Sequence, residues 1–93
     1  MNGILEYRLK DKTRVDCLTK TYAIEVDFAK KWAESIGQSL YYSKQTQKQA
    51  GVLLILEKPQ KDIKYLHRLK KIAKEYNIKI WSIDNKNIIK RIR

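Results

Sequence analysis

A single cysteine, Cys17, cannot close an internal disulfide, and a reduced cytoplasmic setting is expected. No apolar run approaches the ~18–20 residues that cross a bilayer, so no membrane span is expected. The opening MNGILEYRLK lacks the apolar stretch and small-residue cleavage site of a secretory leader. There is no glycine-rich phosphate loop, and one histidine among 93 residues gives no zinc-ligand spacing. Acidic residues are also scarce, 10 against 21 Lys and Arg.

What is present is a folded, basic chain. At 93 residues it is one domain, spanning 1–93, and 43% hydrophobic residues suffice for a small core. The net charge of +11 is spread along the sequence instead of gathered in a tail, which implies a basic surface. Such a field concentrates polyanions and speeds their encounter, so nucleic acid is the leading partner. General solubility is the alternative that charge alone leaves open.

Alternation marks two short strands near the start. In Arg14 to Leu18, Val15 and Cys17 face one way and Arg14, Asp16 and Leu18 the other; Tyr22 to Phe28 alternates likewise, with Glu25 and Asp27 on one side. If Lys20 and Thr21 form a two-residue turn, Asp16 stands opposite Glu25 with Cβ atoms roughly 5 Å apart. Asp27 then lies about 6.5–7 Å further along the same face. Ile4 to Leu9 reads as a short strand or a helical turn and carries Glu6.

Ala29 to about Gln47 has helical spacing, with Ala29, Trp32, Ala33, Ile36 and Leu40 as its apolar stripe. A second stripe holds Lys31, Ser35, Gln38 and Tyr42. Lys31 and Gln38 fall within about 20° of each other around the axis, whereas Lys30 is rotated from Gln38 by roughly 80°. Gly37, disfavoured inside a helix, suggests a close neighbour. GVLLILE, from Gly51 to Glu57, reads as a central strand buried on both faces. Pro59 starts a second helix to Tyr76, with Asn77 as its stop. Its inward positions are Ile63, Leu66, Leu69, Ala73 and Tyr76, and Lys61, Lys64, Arg68 and Lys71 form an outer basic row. Ile78 to Ile83 is a further strand, and Ile88 to Ile92 a short edge strand. The order implies an α/β sandwich with a mixed sheet.

Asp16, Glu25 and Asp27 on adjoining strands carry the chemical signal. Hard carboxylate oxygens are natural ligands of Mg or Mn, and such an ion supports phosphodiester hydrolysis; a nearby lysine can orient water or stabilise charge. The same acids would serve equally as a surface ion-pair cluster with Arg14, Lys30 and Lys31. His67 reads as a surface residue, Cys17 and Trp81 as core, and Trp32 and Tyr41 as packing anchors.

At these residues the chain resembles the PD-(D/E)xK nuclease superfamily, over roughly Glu6 to Glu57. Asp16 matches its first acid, and Glu25, in IEVD, its second. Glu6 corresponds to the upstream glutamate of the resolvase and VRR-type branches, and QSLYY resembles the Gln-x-x-x-Tyr helix motif of the RecB-like branch through Gln38 and Tyr42. Asp27 stands where that pattern has lysine; Lys31, on the following helix, is the substitute candidate.

The resemblance implies a restriction-endonuclease-like core, a mixed β-sheet flanked by helices, and a Mg2+- or Mn2+-dependent nuclease acting on nucleic acid, DNA above all. Asp16 and Glu25 would hold the metal with Asp27 or Glu6 assisting, Lys31 would act on water or charge, and Gln38 and Tyr42 would shape the site. Arg14, Lys30, Lys61, Lys64, Arg68 and Lys71 are the expected phosphate contacts. So small a body is expected to work as a homodimer or with a larger partner. The rival readings are a catalytically inactive nucleic-acid-binding module of the same fold, and a subunit whose basic surface meets an acidic protein.

Overall fold

The alternating segments become a six-stranded sheet in the computed structural model, which describes residues 3–93. Strands β1 (Ile4–Arg8), β2 (Arg14–Leu18) and β3 (Tyr22–Phe28) form an antiparallel meander. A 3-10 turn at Ala29–Lys31 leads into helix α1 (Trp32–Thr46), which carries the chain over to β4 (Gln49–Ile55), parallel to β3. Helix α2 (Pro59–Tyr76) repeats the crossover to β5 (Lys79–Ile83), and β6 (Ile89–Arg91) returns antiparallel at the edge. The strands lie in chain order across the sheet. Right-handed crossovers taken twice in one direction put both helices on the same face.

Between the helices and that face lies the main core. Val52 and Leu54 of β4, Ile80 of β5, and Leu66, Leu69 and Ala73 of α2 are buried together, with Trp32, Ile36 and Leu40 of α1 packed against them. Each fully buried aliphatic side chain there contributes about 1.5–3 kcal/mol relative to exposure. Period-two alternation sends Leu53, Ile55, Trp81 and Ile83 to the other face, which no helix covers, and all four are half-buried. Gly51 is required on that side: a Cβ there would meet the Trp81 ring at 2.8 Å. Trp81 also meets Tyr22 edge to face, with ring centroids 5.1 Å apart. Among the described residues no helix is long and apolar enough to cross a membrane.

Helix ends follow the sequence signals. Pro59 occupies the first turn of α2, and Asn77 closes it in the left-handed conformation with φ 54°. The inward stripes need two corrections. On α1 the most deeply buried positions are Ser35, Ser39 and Tyr42, while Ala33 is exposed. The Ser35 and Ser39 hydroxyls donate to the carbonyls of Trp32 and Ile36, so neither brings an unpaired polar group into the interface. Small serines let the helix lie close to the sheet there. Gly37 does no such work: a Cβ added to it would meet nothing within 4 Å. On α2, Ile63 and Tyr76 are 39% and 55% exposed. A helix of 18 residues is about 27 Å long, against ~17 Å for a five-residue strand, so its ends overrun the sheet.

Candidate functional site

The turn between β2 and β3 fixes the position of the acids. Thr19 N–H donates to the Tyr22 carbonyl at 2.8 Å across Lys20 and Thr21, and Cys17 pairs with Ile24 and Leu18 with Ala23. That register brings Asp16 to Glu25. The ladder then stops. Where Val15 would next pair with Val26, the Val26 N–H instead donates to Asp16 Oδ2 at 2.9 Å. The two strands part at this point, and a cleft of about 510 Å³ opens between them and α1.

Asp16, Glu25, Val26 and Asp27 line the cleft on the sheet side, and Lys31, Glu34, Gln38 and Tyr42 line it on the helix side. Glu25 is 5% exposed, the most deeply set of the acids. Burial, then a hydrogen bond and charge repulsion from Asp16, push its carboxyl up to about 9. Burial likewise raises Asp27, with the Lys31 ammonium pulling in the opposite direction and Asp16 and Glu34 adding to the rise. Tyr42 packs on Val15 and Ala23, and its hydroxyl is raised by burial and by the charges of Glu25 and Asp16.

This is a group of carboxylates without cationic partners. Among the described residues the only ion pair within 4 Å joins Arg14 Nη1 to Glu6 Oε1 at 3.5 Å, with both side chains more than half exposed. Lys31 lies near enough to Asp27 to affect its titration but makes no ion pair with it. The ion-pair cluster left open by the sequence is therefore not formed. Nor do three acidic, histidine or cysteine side chains converge into a ready metal cage among the described residues.

No family model matches the chain, and no curated protein or solved structure matches it either. The site stands on its own geometry.

Of the residues singled out from the sequence, Asp16, Glu25, Asp27, Lys31, Gln38, Tyr42 and Arg14 meet in the cleft. Lys31 sits at the N-cap of α1, with φ −96° and ψ 22°, so it reaches the cleft from the joint between 3-10 turn and helix. Lys30 is not on the cleft wall. Glu6 is not there either: it is exposed on β1 in a left-handed backbone, φ 52°, and is spent on Arg14. Lys61, Lys64, Arg68 and Lys71 lie exposed on α2, outside the cleft, where Lys64 and Arg68 flank the Tyr65 ring. His67 is exposed and Cys17 is buried, its thiol raised by burial.

Three charged cleft residues escaped the sequence reading: Glu34 on α1, and the basic pair Arg8 and Lys12. Both basic residues belong to the β1–β2 hairpin. A basic residue in an exposed strand and another in a turn carry no periodic signal. The positive φ of Lys12, 74°, is the structural mark that sets it apart.

Proposed function

We propose that the chain is a Mg2+- or Mn2+-dependent nuclease acting on nucleic acid, DNA in the first instance, with a core of the restriction-endonuclease-like kind. The observation that carries this reading is buried Glu25 set against half-buried Asp16, with no cation at ion-pair distance. Burying two neighbouring carboxylates is unfavourable unless a proton or a cation sits between them. Their donor chemistry fits a hard divalent ion. Mg2+ is commonly held by one or two protein carboxylates, with water and substrate phosphate completing six positions, so a third acid is not required. When bound, the ion would supply an activated water and stabilise charge on the phosphoryl group.

The chain's own residues then have distinct tasks. Asp16 and Glu25 hold the cation, and the Val26 N–H fixes the orientation of Asp16. Asp27 assists from the next inward position of β3. Lys31 faces Asp27 and orients water or stabilises developing charge, the role that a lysine at position 27 would have filled. Gln38 and Tyr42 shape the helix wall. Exposed Lys30, Lys61, Lys64, Arg68 and Lys71 add long-range attraction for phosphate. A homodimer or larger assembly in the cytoplasm completes the proposal, and light scattering that returned only the 11.1 kDa monomer at working concentration would count against the dimer.

The second reading, a nucleic-acid-binding module without chemistry, is favoured by one observation: an acid, Asp27, occupies the lysine position. A cleavage assay decides between them. Single-stranded, duplex and branched DNA are incubated with Mg2+ or Mn2+, using wild type, Asp16→Ala and Glu25→Ala. The nuclease reading expects metal-dependent cleavage by wild type alone. Salt-sensitive binding with no cleavage under any metal selects the second reading.

A further inference from the structure

The cleft has a second charged wall, of which the nuclease reading uses only Arg14. Arg8 on β1, Lys12 in the turn and Arg14 on β2 all line it from the hairpin side, while Lys31 lines it from the helix side. Among the described residues Arg8 and Lys12 make no ion pair, so their charges are uncommitted.

The backbone of the hairpin gives independent weight to this arrangement. Leu9 N–H donates to the Thr13 carbonyl and Lys12 N–H to the Leu9 carbonyl, while Asp11 Oδ1 accepts from both Thr13 N–H and Thr13 Oγ1. This is a three-residue loop whose last position is left-handed, the position that glycine fills most easily. Here it holds a lysine at φ 74°. The hairpin has a second such residue, Glu6 at φ 52°, and its carboxylate holds Arg14 at 3.5 Å. Non-glycine residues in this region are disfavoured and persist where the surroundings or a function require them. In one hairpin, one of them lines the cleft as a cation and the other tethers a cation that does.

We propose that the β1–β2 hairpin is a phosphate-gripping finger: Arg8, Lys12 and Arg14 hold the backbone of a single nucleic-acid strand against the carboxylate floor, opposite Lys31. The cleft volume, about 510 Å³, is that of a pocket for one small molecule. It accommodates a nucleotide or two of one strand, and the uncommitted cations on the hairpin wall meet the phosphates on either side of the bond placed over Asp16 and Glu25. The inference deepens the nuclease reading as to substrate, yet phosphate binding by the finger needs no metal and no cleavage.

The test uses the full chain in EDTA with a fluorescein-labelled DNA single strand of about 12 nucleotides, read by anisotropy. The variants are Lys12→Gly, Arg8→Ala and, as a charge control on α2, Lys74→Ala. Glycine suits the left-handed position, so Lys12→Gly keeps or raises the melting temperature. Its dissociation constant rises about fivefold near 0.1 M salt, and the slope of log K against log salt shrinks by about 0.7, the value of one lost contact on a single strand. Arg8→Ala behaves alike, whereas Lys74→Ala changes affinity by less than half as much. Lys12→Gly binding like wild type, or no more weakly than Lys74→Ala, overturns the finger. The two readings fail separately. Absence of cleavage with any metal, combined with the Lys12→Gly binding defect, removes the nuclease and leaves the finger; cleavage by a Lys12→Gly chain of unchanged affinity does the reverse.

Discussion

The backbone N–H of Val26 donates to the Asp16 carboxylate at 2.9 Å, where a continued ladder would have given it to the carbonyl of Val15. One side chain thus ends the pairing of β2 with β3 and is held at the mouth of the opening it makes. Asp16 is a structural residue and a candidate metal ligand at once, and two substitutions separate these roles.

Asp16→Asn keeps an oxygen acceptor for Val26 and removes the charge. Its melting temperature is expected to stay close to that of wild type, since the amide oxygen can still accept from the Val26 N–H and from the protonated Glu25 carboxyl. Cleavage is expected to fall by at least about 100-fold, because even outer-shell partners of a metal are worth 10–100-fold. Asp16→Ala loses the acceptor as well and costs a further ~1–3 kcal/mol if the Val26 N–H finds no other partner. Thermal unfolding and a cleavage time course on the two variants measure both effects. An Asp16→Asn protein that cleaves at the wild-type rate ends the assignment.

Glu25 gives a pH signature. Its carboxyl is raised from about 4.5 to about 9 in the folded chain, by burial first and Asp16 second. Between those values the folded chain keeps a proton that the unfolded chain has released. The unfolded state then binds fewer protons, so stability falls as pH rises through this window. Melting temperatures measured in EDTA are expected to decline from about pH 5 to about pH 9, and Glu25→Gln is expected to flatten the decline. A divalent ion takes the place of the proton, so Mg2+ should raise the melting temperature more at about pH 8.5 than at about pH 6. Identical pH profiles for wild type and Glu25→Gln would falsify the assigned shift.

Lys30 and Lys31 are adjacent, but only Lys31 lines the cleft. Lys31→Ala is therefore expected to lower kcat by about 100-fold, the scale of a lost positioned acid-base or charge-stabilising group, with KM little changed. Lys30→Ala removes an exposed charge and is expected to raise KM a few-fold at low salt with kcat retained. Steady-state kinetics at two salt concentrations distinguish the pair. A kcat defect of equal size in both variants would show that charge, and not position, matters here.

The sequence made β2, β3 and their two-residue turn legible because alternation and turn length leave little freedom of register. Asp16 beside Glu25 follows from that register. The ladder break does not, because it depends on a side chain outcompeting a backbone carbonyl for one N–H. The finger was hidden for a similar reason: strand or turn assignment of Arg8 and Lys12 says nothing of how the hairpin lies against α1. The apolar stripe holds at Ala29, Trp32, Ile36 and Leu40, and its shift on α1 from Ala33 toward Ser35 and Ser39 has a chemical cause. Serine is counted as polar and outward, yet Ser35 and Ser39 bond their hydroxyls to the preceding turn and then behave as small inward residues. Alanine at position 33, apolar by type, was left exposed.

That reassignment of α1 can be tested by size alone. Ser39 has no exposed surface and lies on the face of α1 that meets the sheet. Ser39→Ala preserves the volume closely and removes a hydroxyl bonded within its own helix, so it should change stability by less than about 1 kcal/mol. Ser39→Leu adds methylene groups where the helix lies close to the sheet, and overpacking of this kind costs about 1–3 kcal/mol. For a domain of this size that is a fall of roughly 4–8 °C in melting temperature per kcal/mol. It should also lift the neighbouring Gln38 and Tyr42 away from the acids, reducing cleavage in a chain that remains folded. Ala33→Leu, on the exposed side, is the matched control and should leave the melting temperature within about 2 °C. If Ala33→Leu were the damaging substitution and Ser39→Leu the harmless one, α1 would be rolled toward Ala33, and the cleft would lose its helix wall.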